Sequence, residues 1–220
     1  MKVRILSLNV RGVNSKEKWI VNKSLIRTQK ADLVCLHETK VNRMSILVRS
    51  LGGGRCPVFW DNRVLELVEM EVGVFSIYCW FRCCEDAFMW VFTRVYGPTL
   101  CKEREDFWAE LGDIRGLWDD PWCFGGGFNA VRFTRERRYS DRVTATIRHF
   151  PYIIEELHLR DILLTGGSFT WCEGENNRSH LCLDCFLVFE KWERHFNGLL
   201  QSVLPKPMSD YSLVLLDREG

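Results

Sequence analysis

The sequence has no long apolar run and no surplus of either charge, and no secretory leader is expected. None of its stretches approaches the ~18 apolar residues of a membrane-spanning helix. The opening "MKVRILSLNVRG" has too short an apolar core before Arg11 to serve as a signal peptide. The expectation is an intracellular chain, nuclear or cytoplasmic, with no membrane partner and with its ten cysteines reduced. Basic residues number 30 and acidic residues 29, for a net charge of +1. That balance excludes a strong grip on nucleic acid through net charge alone, though it leaves room for a local basic patch such as "RFTRERR". Internal repeats, low-complexity segments and linkers are also absent.

What is present is apolar mass. Hydrophobic residues make up 46% of the 220, and aromatics 13%. This is enough for one sizeable core, so a single domain is expected. One C-x-x-C occurs, Cys182 to Cys185 in "HLCLDCFL". A zinc site needs a second ligand pair, and Cys79, Cys83 and Cys84 are too irregular to supply one. A redox pair belongs at a helix N-terminus, whereas this one sits in a strand-like run. The spacing is read as accidental.

Periodicity sketches the elements. "VRILSLNVRG" sets Val3, Ile5, Ser7 and Asn9 against Arg4, Leu6, Leu8 and Val10, which is strand period. A helix capped by Ser15 follows, and then the apolar run "ADLVCLHETK", a buried strand ending at Glu38. "GVFSIYCWF" and "AFMWVFTRVYGP" predict a hairpin pair closed by Gly97-Pro98. "EREDFWAELGDIRGLW" spaces Phe107, Leu111, Ile114 and Trp118 as a helix. "TATIRHFPYIIEELHL" is helical too, with Pro151 expected to kink it or delay its start. "DILLTGGSFTW" and "SHLCLDCFLVF" each read as one strand, "EKWERHF" as a short helix and "YSLVLLD" as a closing strand. Many strands with about four helices indicate an α/β or α+β domain of stacked sheets, its functional residues at strand ends and loops.

The stretch "WCFGGGFNAV" poses a sharper question. Three consecutive glycines are entropically costly in ordered backbone, so each needs a reason. A phosphate-cradling loop requires a helix N-terminus directly after it, and "FNAVRFTRERR" is a poor helix start.

Five pieces, "SLNVRG", "LHETK", "RVYGP", "GGGFNAV" and "LDCFLV…MSDY", stand in an order and spacing that resemble the endonuclease/exonuclease/phosphatase family. They look most like the endonuclease domain of plant LINE-type (non-LTR) retrotransposons, in a degenerate copy. The connecting text "LRDILLTGG" and "SFTWCEGENNRSHLCLDCFLVFEKWERHF" is similar as well. The resemblance covers 1–217 as one domain. It implies an α+β, four-layer deoxyribonuclease-like sandwich, two mixed sheets face to face with helices outside. It also implies DNA as substrate, phosphodiester hydrolysis with Mg²⁺ or Mn²⁺, and a monomer. No reverse transcriptase domain is expected on this chain.

Residue by residue, the resemblance makes Glu38 a metal ligand and Asn9 and Asp210 groups at the metal. Tyr96 becomes a hydroxyl that reaches the phosphate, and Asn129 an amide that steadies the phosphate and the attacking water. Asp184 becomes the carboxylate that orients a catalytic imidazole. Taken alone, Glu38 reads more readily as a charged end to a strand, Tyr96 equally as packing beside a turn, and Asp184 or Asp210 as solvated carboxylates, the usual fate of Asp. The family carries Asp at the position of Gly127 and His at the position of Tyr211. A phenol with a pKa of ~10 is a poor base at neutral pH, where imidazole serves well. None of His37, His149, His158, His180 and His195 falls at a motif position that would substitute.

Leu8 replaces a usual Trp and His37 a usual Gln. "SLGGGRCPVFWDNRV" looks shortened, which suggests a deletion near residues 56–57. The expectation is an endonuclease domain of impaired or lost activity. Its alternatives are a working metal-dependent nuclease or phosphatase with an altered base, and a non-catalytic remnant that binds DNA or protein.

Overall fold

Alternation in the sequence becomes two faces in the structure. The computed structural model describes residues 2–10, 16–38, 58–115, 120–131, 137–138, 145–173, 179–204 and 211–218. The chain runs β1 (Ile5–Asn9), α1 (Lys16–Gln29), β2 (Leu33–His37), β3 (Val58–Trp60), β4 (Leu65–Val72), β5 (Ser76–Cys83) and β6 (Met89–Tyr96). A 3₁₀ turn at Cys101–Glu103 leads into α2 (Arg104–Arg115), followed by β7 (Trp122–Gly127), β8 (Arg137–Arg138) and α3 (Ala145–Glu156). Then come β9 (Leu159–Asp161), β10 (Leu164–Thr165), β11 (Trp171–Glu173), β12 (Ser179–Leu181) and β13 (Asp184–Phe189). α4 (Glu190–His195), β14 (Leu199–Leu204) and β15 (Leu213–Arg218) complete the order.

Two six-stranded sheets form, in the orders β10-β14-β15-β1-β2-β3 and β4-β5-β6-β7-β13-β9, with a small third sheet β11-β12-β8. Both large sheets are mixed. β1 and β2 pair in parallel, as do β6 and β7, while β1 with β15 and β7 with β13 are antiparallel.

The two faces of β1 and β2 enter different cores. Ile5, Leu33 and Cys35 join the main core with Phe92, Cys123 and Phe186 of the second sheet. Leu6, Leu8, Val34 and Leu36 turn the other way and are covered by Leu25 and Ile26 of α1. α2 buries Phe107, Trp108, Leu111 and Ile114, and Trp108 stacks on Phe150 of α3 with ring centroids 5.0 Å apart. The result is the expected sandwich of two mixed sheets with flanking helices. Trp90, Trp122, Trp192, Phe92 and Phe124 are fully enclosed, each contributing on the order of 1.5–3 kcal/mol or more of burial.

Several local expectations need correction. "DILLTGGSFTW" spans the end of β9, all of β10 and the start of β11, and Gly166, with φ +75°, turns the chain after β10. "SHLCLDCFLVF" divides into β12 and β13, where the Leu183 and Asp184 amides leave the ladder to donate to the Thr170 hydroxyl. α3 begins ahead of Pro151 and runs through it, so its start is not delayed. β4 and β14 escaped the sequence reading. A bulge between Leu67 and Glu69 breaks the period of β4, and buried Gln201 interrupts the apolar pattern of β14. The proposed deletion near 56–57 lies outside the described residues. No helix among those described is long and apolar enough to cross a membrane.

Candidate active site at the polar end of the sandwich

The inward-facing residues change character along their strands. On β1 they run Ile5, Ser7, Asn9, and on β2 Leu33, Cys35, His37, with Ser7 paired to Cys35 and Asn9 to His37. On β6 they run Phe92, Arg94, Tyr96, beside Cys123, Gly125 and Gly127 of β7. Apolar side chains thus give way to polar ones at the C-terminal ends of β1, β2 and β6, while β7 gives way to glycine.

Glu38 sits where they meet. It follows β2 directly and takes φ +52°, a left-handed conformation that non-glycine residues adopt infrequently. The Asn9 amide donates to Glu38 Oε1 at 3.1 Å, and the Tyr96 hydroxyl donates to the same oxygen at 3.0 Å. One side chain from each sheet therefore fixes the carboxylate. Among the described residues nothing donates to Oε2.

The three glycines have three different reasons. A Cβ on Gly125 would lie 2.4 Å from the Phe186 ring. Gly126 has φ +134°, and its Cβ would lie 2.7 Å from His37 Cε1. Both positions exclude a side chain. Gly127 keeps ordinary backbone, and among the described residues its Cβ would meet only Asp184 Oδ1, at 3.1 Å. Of the three, it is the glycine on which the described residues place no steric demand.

Asp184 faces Gly127 across the β7–β13 ladder and is 3% exposed. Burial pushes its carboxyl up to about 7; the Thr170 hydroxyl partly offsets this and the nearby Glu38 charge adds to it. Its Oδ2 is enclosed and accepts no hydrogen bond from the described residues. Thr170, itself fully buried, gathers the neighbourhood. Its Oγ1 accepts from the Leu183 and Asp184 amides at 2.9 and 3.1 Å, and its carbonyl accepts from the Ser212 amide at 2.7 Å. This draws Tyr211 in, where it bridges Trp171 and packs against that ring at 6.4 Å.

Asn129 has φ +49°, and its amide donates to the Gly97 carbonyl at 2.6 Å. Gly97 must be glycine, since its Cβ would fall 2.1 Å from the Phe128 carbonyl oxygen. The two residues lock the end of β6 to the end of β7, with Arg104 donating to the Asn129 carbonyl at 3.1 Å.

The structure thus brings Asn9, Glu38 and Tyr96 into contact, sets Asp184 opposite Gly127, and ties Tyr211 to the same neighbourhood through Thr170. Asn129 anchors backbone, and Asp210 lies outside the described residues. Sequence reading missed Thr170 and the buried pair His37–Arg94. A charge two residues before Tyr96 in an apolar strand was the available signal for Arg94. His37 is wholly buried, and its pKa lies well below the usual imidazole value through burial and then the Arg94 charge. Cys182 and Cys185 are both buried. Among the described residues no three His, Cys, Asp or Glu side chains cluster as a ready-made metal cage.

No family model and no curated protein matches the chain. Solved structures do. The endonuclease domain of TRAS1, a telomere-specific non-LTR retrotransposon, superposes with TM-score 0.74 at 14% identity, covering 100% of this chain and 99% of that one. The 3′ phosphatase NExo from Neisseria, bound to a product DNA hairpin, gives 0.76 at 14% identity over 99% and 100%. The AP endonuclease LMAP from Leishmania major gives 0.76 at 13% identity over 100% and 88%. The likeness is one of fold, and the fold is the deoxyribonuclease-like sandwich of endonuclease/exonuclease/phosphatase proteins.

Proposed function

We propose that this chain is a DNA-directed phosphodiester hydrolase domain of the retrotransposon-endonuclease kind, impaired at two positions. One observation carries the reading. Glu38 is held by Asn9 and Tyr96 at a point where both sheets turn polar, beside an Asp184 that faces an unneeded glycine. The scaffold for binding a phosphate persists, and the groups that would align the attacking water and take its proton do not.

The donor set suits a divalent cation. Mg²⁺ and Mn²⁺ take hard oxygen ligands, often only one or two carboxylates. Glu38 and Asn9 would hold the ion, with Asp210 as a further carboxylate, and Glu38 Oε2 has no competing donor among the described residues. Such an ion supplies charge neutralisation at the phosphate.

The chain's own residues define what remains. The Tyr96 hydroxyl is aimed at the carboxylate and stands ready to shift to a phosphate oxygen. Gly127 offers no carboxylate to align a water. Tyr211 offers a phenol where a base near neutrality is required. Asp184 ionises in the right range, yet Oδ2 is sealed from solvent, so it cannot take a proton from a substrate water as it stands.

The test is plasmid nicking in Mg²⁺, comparing the unmodified chain with Gly127→Asp/Tyr211→His. We expect nicking by the double variant, with the unmodified chain slower by about 10²–10⁴-fold or more. Equal rates would refute the impairment. Turnover by the unmodified chain that ends with Glu38→Gln or a chelator would establish a working hydrolase with another base.

A further inference from the structure

Below the Glu38 site lies a second tier of polar side chains that the proposed chemistry does not use. Ser7, His37 and Arg94 are 2%, 0% and 4% exposed. Ser7 and Arg94 lie two residues before Asn9 and Tyr96 on their strands, and His37 directly precedes Glu38. Arg94 reaches His37 Nδ1 with Nε at 3.3 Å and Nη2 at 3.1 Å. Ser7 Oγ lies 3.1 Å from His37 Nε2.

We infer that His37, pinned by Arg94 and Ser7, is a positioning residue that holds Glu38 and Tyr96 in the geometry a divalent cation needs. This rests on the reading of Glu38 as a cation ligand.

Arginine has donors only, so Nδ1 must be the accepting nitrogen of the ring. The proton then sits on Nε2 and points to Ser7. Both ring nitrogens are engaged, which fixes the tautomer and the plane of the ring. The fixed ring lies 20° from parallel to Tyr96, with centroids 6.4 Å apart, and the Arg94 guanidinium stands 5.6 Å from the Tyr96 ring. From the second sheet, Gly126 leaves room for the imidazole and for nothing more. The His37 carbonyl accepts from the Val10 amide at 3.0 Å, so the backbone entering the left-handed Glu38 is tied as well.

Alanine at 37 removes the acceptor for two Arg94 donors and opens a hollow beneath Tyr96. Glutamine offers one acceptor and one donor on a planar group, so it reproduces both bonds.

The experiment is Mn²⁺ titration followed by electron paramagnetic resonance, which needs no turnover. The wild-type chain is compared with His37→Ala and His37→Gln. Glu38→Gln reports on the site itself, and Leu111→Ala, a buried position in α2, controls for loss of stability. We expect His37→Ala to weaken Mn²⁺ binding by about 10–100-fold, the usual range for groups that orient a ligand, and His37→Gln to restore it to within about threefold. Leu111→Ala should leave it unchanged. If circular dichroism shows His37→Ala unfolded, Ser7→Ala takes its place: weaker binding supports the inference and unchanged binding overturns it. Full affinity in His37→Ala, or His37→Gln as weak as alanine, overturns the inference and leaves the functional reading intact. Absent Mn²⁺ binding in the wild type, or binding indifferent to Glu38→Gln, removes the functional reading and the inference with it.

Discussion

Replacing Asp184 by asparagine should make the protein more stable at alkaline pH, against the usual expectation for a buried side chain in a core ladder. The carboxyl is enclosed, one of its oxygens has no partner among the described residues, and its pKa is raised from 3.8 to about 7. In the unfolded chain it ionises normally. Between pH 3.8 and about 7 the folded state therefore keeps a proton that the unfolded state has released. Stability then falls as pH rises through that window, by up to about 1.4 kcal/mol per pH unit, and levels off above it. The whole effect is at most on the order of 4 kcal/mol. Asparagine cannot ionise and lacks this dependence. Urea unfolding of both proteins at pH 4.5, 6 and 8, in EDTA, gives the difference directly. Asp184→Asn should gain on wild type steadily from pH 4.5 to 8, whatever the amide's own offset at low pH. A difference that stays flat across that range would refute the enclosed, orphaned carboxyl.

Gly126→Ala should destabilise by about 1–3 kcal/mol or more in urea titration, since it combines a positive φ with a clash against His37, while Gly127→Ala should stay within about 1 kcal/mol. Gly127→Asp made alone should lower the melting temperature, because it sets a second carboxyl beside Asp184; adding Asp184→Asn should return most of the loss, and a strictly additive pair would count against the contact. Thiol labelling of the native protein with peptide mapping should modify Cys84 readily and spare Cys35, Cys79 and Cys123, which are buried, with Cys79 pushed up to about 12 by burial.

The sandwich was legible because its strands advertise their faces. The split between Ile5, Ser7, Asn9 and Leu6, Leu8, Val10 is the split between the two cores. Glu38, Asn9 and Tyr96 were legible through resemblance alone, since no periodicity brings three strand ends from two sheets together. The glycine triplet was legible only in part. Sequence reading singled out Gly127 as a departure, whereas the demands on Gly125 and Gly126 come from Phe186 and His37, distant in sequence. Thr170 could not be read either. Its role depends on two amides that leave the ladder between β12 and β13, in a segment whose apolar run looks like one continuous strand.

The place of β15 has a consequence for how the molecule is made. This last described strand lies between β14 and β1, near the middle of its sheet, with Leu216 opposite Ile5 and Val214 opposite Ser7. Arg4 Nε donates to Asp217 at 2.7 Å, joining positions 213 apart in sequence. Until residues 213–218 leave the ribosome, β1 and β14 each present an open edge, and the sheet that carries Asn9 and Glu38 has a gap at its centre. Contacts of such long range make folding slow, and they make closure of this sheet wait for β15. A nascent chain stalled before β15 would be prone to pair its open edges with other chains, so translation of this stretch is the step on which a chaperone would act.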